Sequence, residues 1–228
     1  MTRMSGAATA AATVLAAVVL LFALGTANPV PRPGVNTDTL GPDTGEAVSE
    51  YLARAEETLA EDSADQDSAG SNSEMQWALV SFDAEVAPAR AYDAVQDVRI
   101  AQVLLRVPIE RVQTQVISIG VPGTEASVLG SAAVAGSRLH GSTGQWDRQS
   151  QIDAVSSARL LEGCECVVGL IVRGSSEQLG TVDAGDGVRA VEALPADAIA
   201  GRFAVRALLP DYADVVGPLP DDGPVPTP

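Results

Sequence analysis

The sequence predicts an α+β protein with an N-terminal transmembrane helix, an acidic linker, and a ferredoxin-like (split β-α-β) antiparallel sandwich with extra helices. Three observations predict it. The 228-residue chain has one long apolar run, at residues 7–27, and its acidic residues are concentrated on both sides of a nearly balanced middle. That middle twice shows the order strand, helix, strand over about thirty residues. Two such units form an antiparallel sheet with helices on one face.

Residues 7–27 are almost wholly apolar, and no charged side chain occurs between Arg3 and Arg32. A helix of these 21 residues spans roughly 30 Å, the thickness of a bilayer core. We therefore expect a transmembrane helix or signal anchor, with residues 1–6 in the cytoplasm and the following chain outside. A cleaved signal peptide is the alternative, because the strongest apolar stretch, 13–25, has the length of an h-region. The protein would then be secreted.

Residues 28–75 are predicted to be an acidic extracytoplasmic linker. Residues 36–75 hold eleven acids and one Arg, and like charges keep a chain extended. A helix is expected at 45–60, either pairing with a partner or a second copy, or lying solvated in the spacer. It carries an apolar stripe at helical spacing, formed by Val48, Leu52, Ala55 and Leu59. Residues 211–228, with four acids and five prolines, are predicted to be a free tail with polyproline II bias.

Residues 76–210 are predicted to be the globular α+β domain. Its first unit has strands at 77–82 and 98–107 around a helix that begins at Pro88, because proline suits the first helical turn. The second unit has strands at 166–173 and 188–194 around a helix that Ser175 or Ser176 caps.

Further elements are expected between and after the two units. They are a half-exposed strand at 112–121, a helix from Thr124 to about Leu139, a helix that Ser150 caps and Gly163 closes, and a last strand at 203–209.

Cys164 and Cys166 are the most specific feature of the sequence. In an extended strand, residues two apart have Cα atoms about 6.6 Å apart, close to the upper limit of about 6.8 Å for a disulfide. A bridge would therefore bend the chain at the entrance of the strand. We expect a local disulfide or two buried thiols. A redox-active pair is the alternative, although no Lys exists and no His is near in sequence to lower a thiol pKa.

Composition excludes several other kinds of site. One His and two Cys rule out a His-rich metal centre, and a net charge of −16 argues against a nucleic-acid partner. His140, with Ser137, Ser142 and Asp147 nearby, lacks any nucleophile motif. The glycines at 185 and 187 precede a strand, whereas a dinucleotide fingerprint leads into a helix. No catalytic, cofactor-binding or metal-binding residue is predicted.

The Lys-free, Arg- and Ala-rich composition, the single apolar span, and the stretches 77–82 (WALVSF) and 215–222 (VVGPLPDD) carry a resemblance. The chain resembles single-pass, membrane-anchored envelope proteins of actinobacteria. The resemblance implies a place in the cell envelope and implies no activity. We expect a membrane-tethered extracytoplasmic binding or interaction module, anchored in the membrane through 7–27, with an envelope or membrane protein as its partner. An extracytoplasmic thiol-redox protein using Cys164 and Cys166 is the alternative.

Overall fold

The computed structural model describes residues 38–65, 75–140 and 147–227. The chain divides into two units, Met1–Val35 and Asn36–Pro228, and every described residue belongs to the second. The apolar run predicted to be a transmembrane helix lies outside the described residues. Among the residues that are described, no helix is both long and apolar enough to cross a membrane.

The described chain contains seven strands and six helices. The strands are β1 Thr39–Leu40, β2 Gln76–Val86, β3 Arg99–Leu105, β4 Ile117–Gly120, β5 Val167–Gly174, β6 Val188–Ala193 and β7 Ala204–Val205. The helices are α1 Val48–Asp65, α2 Pro88–Asp93, α3 Glu125–Leu129, α4 Ser131–His140, α5 Arg148–Glu162 and α6 Ser176–Asp183.

Five strands form one sheet in the order β4-β3-β5-β2-β6, and every neighbouring pair is antiparallel. The predicted α+β class with an antiparallel sheet is confirmed. The two strand-helix-strand units are interleaved in this sheet. β5 lies between the two strands of the first unit, and β2 lies between the two strands of the second.

The two faces of the sheet carry different covers. Because successive strand residues point to opposite faces, Val80 packs in the large cluster formed with the helices, whereas Leu79 packs in a second cluster. That second cluster contains Leu40 and Leu209 from the two ends of the described chain. One face is therefore covered by α2 to α6, and the other by extended segments, with α1 at its β6 edge.

Helix α1 packs on the protein's own domain. Val48, Tyr51 and Ala55 are buried in a cluster with Ala190 of β6 and with Leu208. The structure has a helix at Val48–Asp65, over most of the predicted range 45–60, and its apolar face packs on the domain instead of lying solvated. The buried face of α1 packs beside β6. Because β6 is an edge strand of the sheet, this packing limits the exposure of its unpaired edge.

The last residues of the chain also differ from their predicted state. Val216 is buried, and its carbonyl accepts a hydrogen bond from the Gly45 amide at 2.7 Å. The Val48 amide donates to the Asp214 carbonyl at 2.9 Å. Residues 211–227, predicted to be a free tail, therefore belong to the folded unit, as do residues 38–60 of the predicted linker.

Several element boundaries differ from the predicted ones. The helix expected from Thr124 to Leu139 is interrupted at Gly130, which is the C-cap of α3. Helix α5 is capped by Asp147, whose carboxylate accepts from the Ser150 amide at 2.8 Å, so Ser150 is not the cap. The strand expected at 203–209 is reduced to β7, which pairs in parallel with β1, and the strand expected at 112–121 is reduced to β4. The Ser175 cap and the Gly163 stop are confirmed.

Candidate functional site

A buried arginine lies directly after β3, on the face of the sheet opposite α2 to α6. The Arg106 side chain is only 4% exposed and forms ion pairs with Asp211 and, at 3.4 Å, with Glu85. Its backbone amide donates to the Cys166 carbonyl at 2.8 Å, which continues the pairing of β3 with β5. A cation is retained in such surroundings only when acids pair with it. Arg106 is thus a positive charge held in a fixed position.

Two cavities are lined in part by this arginine. One has a volume of about 390 Å³ and the other of about 360 Å³, and both are lined by Arg106 and Leu219. The first also reaches Gln113, Val116 and Arg206. Apolar walls with a few fixed polar groups are typical of ligand pockets in this size range.

A third cavity, of about 440 Å³, lies further along the same C-terminal residues. It is lined by Glu110, Arg111, Arg159, Pro224 and Pro226, together with Ile109. Residues 217–227 thus run past all three cavities and form part of each wall. We call these residues the C-terminal strap, and the surface of residues 106–116, 148, 159 and 206 beside it the strap groove.

Polar side chains of the groove bind the strap through its backbone and its acids. The Gln113 side chain donates to the Leu219 carbonyl at 2.8 Å, and the Gln113 amide donates to the Asp221 carboxylate at 3.1 Å. Arg148 donates to the same carboxylate at 2.9 Å and to the Gly223 carbonyl at 3.1 Å. One acid of the strap is thus held by two groove residues.

Arg111 makes the second set of strap contacts. It pairs with Asp222, and its carbonyl accepts from the Gly223 amide at 2.8 Å. Its φ of 55° is the one positive value at a non-glycine position among the described residues, a conformation that costs free energy and that often occurs at functional positions. A Cβ on Gly223 would lie 2.6 Å from the Glu110 carbonyl oxygen, so only glycine fits at this contact.

Electrostatics favour the ionised form of Asp221. The hydrogen bond from Arg148, and then the one from the Gln113 amide, hold the pKa of this carboxyl below its usual value. Both ion pairs are nevertheless open to solvent, with side chains between 44% and 65% exposed. Each pair therefore contributes little to stability on its own.

Cys164 and Cys166 form a disulfide with their Cα atoms 5.4 Å apart. That distance is shorter than an extended segment would give, as the predicted bend requires. Cys166 is fully buried just before β5, and Cys164 is partly buried. The pair lies close to Arg106 in the sheet, because the Cys166 carbonyl accepts from the Arg106 amide.

The other residues considered in the sequence do not form a site among those described. His140 is exposed at the end of α4, and the Ser137 hydroxyl donates to the Ala133 carbonyl at 2.9 Å within the same helix. Asp147 is the cap of α5, which lowers its pKa through the Ser150 amide and hydroxyl. Ser142 lies outside the described residues. Within the described part of the chain, no group of three His, Cys, Asp or Glu side chains could hold a metal ion.

Sequence reasoning missed one buried polar cluster. Glu192 of β6 is buried and accepts from the Gly41 amide, from the Tyr51 hydroxyl at 3.2 Å and from Arg54. Burial raises the pKa of this carboxyl despite those three donors. The cluster ties α1 to the sheet. The signal in the sequence was Glu192 itself, an acid inside the apolar run 188–194, because a buried carboxylate requires a partner.

The strap groove was missed as well. Its residues are scattered in sequence, and the only signal is the separation of charge between an Arg-bearing middle and an acidic C-terminal segment. No family model, curated protein or solved structure matched the chain. Fold and site therefore define the class: an α+β protein with a five-stranded antiparallel sheet, whose arginine-lined groove is partly filled by its own C-terminal residues.

Proposed function

We propose that this protein is a membrane-tethered, extracytoplasmic binding module whose ligand binds in the strap groove, and that its domain is a ferredoxin-like sandwich. The strand order β6-β2-β5-β3, with helices on one face, supports that fold; β4 extends the sheet at one edge. The observation that carries the function is the buried Arg106, which lines two cavities.

Arg106 is suited to bind a carboxylate. A guanidinium has five donors in a planar fork that matches a carboxylate, and a desolvated guanidinium binds more strongly than an exposed one. Its present partner Asp211 is half exposed, so a ligand carboxylate entering either cavity would reach the same cation. Leu209, Val216 and Leu219 add apolar wall to the first cavity.

The tether and the compartment are proposed from the apolar run 7–27, which has the length of a bilayer span. A cysteine scan of the intact cell tests both. In spheroplasts treated with a membrane-impermeant maleimide, Ser137→Cys on the exposed side of α4 should be labelled, and Thr2→Cys only after lysis. The opposite pattern would disprove the proposed orientation. Loss of residue 2 from the mature chain would show that a signal peptide is cleaved.

Binding in the groove is tested by photo-crosslinking in intact cells. Val116 lines the first cavity and is 41% exposed, whereas Val134 on α4 is 45% exposed and lines none of the three cavities. A photoreactive amino acid at Val116 should give a discrete adduct that is absent when it replaces Val134. Identical adducts from both positions, or none from either, would contradict a binding role for the groove.

Thiol-redox activity remains the second candidate, because the disulfide joins residues only two apart at the start of a central strand. A redox role needs one sulfur that a substrate can reach and a stabilised thiolate. The full burial of Cys166 leaves Cys164 as the sulfur that would be attacked.

A further inference from the structure

We infer that the C-terminal strap is a displaceable self-ligand, and that the groove binds an extended, proline-flanked segment of a partner protein carrying two adjacent carboxylates followed by glycine. This inference rests on the proposed binding function and names its ligand class. The sequence of the strap indicates which residues the partner segment must carry, because a separate peptide of the same chemistry would make the same contacts with the groove.

The groove recognises the strap as a peptide is recognised. Gln113 binds one backbone carbonyl and one carboxylate, and Arg148 binds another carbonyl and the same carboxylate. Arg111 pairs with the second acid. These contacts depend on the backbone and acids of an extended segment and not on its covalent attachment to the domain.

Prolines and one glycine make the pattern specific. Pro218 and Pro220 flank Leu219, which packs against the apolar cluster that contains Leu79 and Leu209. Proline restricts φ in the free peptide, so less conformational entropy is lost on binding. Gly223 leaves no space for a side chain beside the Glu110 carbonyl. The recognised pattern is therefore Pro-x-Pro-Asp-Asp-Gly-Pro.

The strap is held weakly enough to leave. Its two ion pairs are exposed and screened by salt, and residues 217–227 belong to no strand or helix. Three cavities lie beside it. What favours the strap is its attachment, because a short tether gives an effective concentration in the millimolar range.

The advantage that the tether gives the resident strap favours a partner protein over a second copy of the chain as the competing ligand. A second copy offers the same contacts without the advantage of the tether, so it does not displace the resident strap. A partner segment with the same pattern can add contacts in the two cavities beside Arg106, which the strap leaves open. Those additional contacts are what displacement requires.

The test uses the full chain in detergent micelles and a fluorescent peptide with the sequence of residues 215–227. A variant that ends at Gly217 has a vacant groove and should bind the peptide with a micromolar dissociation constant in fluorescence anisotropy. The unmodified chain should bind it at least roughly tenfold more weakly, because its own strap competes. Arg148→Ala in the shortened chain should reduce binding by a similar factor, whereas Arg90→Ala, an exposed arginine of α2, should not.

A second variant covers the case in which the shortened chain does not fold. Asp221→Asn with Asp222→Asn keeps the full length and every proline but removes both ion pairs. This variant should bind the native peptide more tightly than the unmodified chain, and a peptide with the same two changes should bind more weakly to it.

Three results would overturn the inference. The first is equal affinity of the native peptide for the unmodified chain and the double variant. The second is that neither the shortened chain nor the double variant binds the peptide although its circular dichroism spectrum is native. The third is a dimer of the unmodified chain that dissociates when the strap is removed, which would make a second copy the occupant. An adduct at Val116 without peptide binding would leave the binding module standing and remove only the strap as its ligand.

Discussion

Glu192 on the edge strand β6 accepts a hydrogen bond from Arg54 on α1, and this pair joins the first helix to the sheet. The carboxylate is buried, while the arginine side chain is 40% exposed. Glu46, which lies just before the helix in the chain, binds the same guanidinium at a distance of 3.2 Å. The tyrosine next to this pair, Tyr51, donates to Glu192, and burial raises the pKa of its hydroxyl.

Removing Arg54 should destabilise the domain. Arg54→Ala leaves Glu192 buried without its cation, and breaking a fully buried ion pair costs about 3–5 kcal/mol. The exposure of Arg54 makes the expected loss smaller, roughly 1–3 kcal/mol, in urea unfolding followed by circular dichroism. Glu57→Ala, which removes an exposed acid of the same helix, should change the unfolding free energy by less than about 0.5 kcal/mol. Equal effects of the two variants would contradict this role.

The strap should loosen in acid. The pKa of Asp221 is lowered by Arg148 and by the Gln113 amide, so the folded state favours the ionised carboxyl. The resulting stabilisation is present above the unfolded pKa of about 3.9 and is lost as the pH falls through the lower folded value.

Hydrogen exchange measures this loosening. The Gln113 amide donates to the Asp221 carboxylate, whereas the Val216 amide donates to the Glu46 backbone carbonyl at 2.9 Å. Protection of Gln113 should fall below about pH 4 while protection of Val216 is retained. Asp221→Asn should remove the pH dependence at Gln113. Parallel loss at both amides would show general acid unfolding instead.

A side chain at Gly41 should be poorly tolerated. Gly41 has a φ of 102°, and a Cβ there would clash with the Arg206 carbonyl oxygen. Its amide also donates to Glu192. Gly41→Ala should therefore lower the thermal midpoint by several degrees, on the order of 2 kcal/mol or more. Gly180→Ala, inside α6 with nothing within 4 Å of the added atom, should be neutral or stabilising by up to about 1 kcal/mol.

Cys166 should react slowly in the folded, reduced protein. After mild reduction, Cys166 has no exposed surface, so alkylation at neutral pH should be slow until denaturant is added. Cys164→Ser with Cys166→Ser should cost about 1–3 kcal/mol, because apolar burial is lost and hydroxyls replace it. Rapid labelling of the folded form, with a thiol pKa well below about 8.5, would instead support the redox alternative.

Much of the secondary structure could be predicted because its signals are local. The continuous apolar run through Leu79 and Val80 predicts a strand buried on both faces. Ser175 and Gln178 form a capping box that depends only on residues within the same helix. The order of elements in the two strand-helix-strand units was also available from these signals. The α5 cap was misplaced by three residues because Asp147 and Ser150 are both good cap residues.

The candidate site could not be predicted in the same way. Asp221 and Arg148 are 73 residues apart, and Arg106 and Asp211 are 105 apart. A charge in a sequence indicates an exposed residue by default, so neither the burial of Arg106 nor the order of the strap was visible.

The sequence by itself determined the apolar and polar periodicity, the caps and turns, and the separation of acids from arginines. Each of these depends on residues within a few positions of one another. Only the tertiary structure decided which apolar face covers which strand: the stripe with Val48 and Ala55 requires a partner but does not identify β6. The partners of the strap were also decided only by the tertiary structure. Opposite charges attract at any separation in sequence, so the sequence does not say which arginine meets which acid. The folded sheet brings Gln113, Arg148 and Arg111 to the strap.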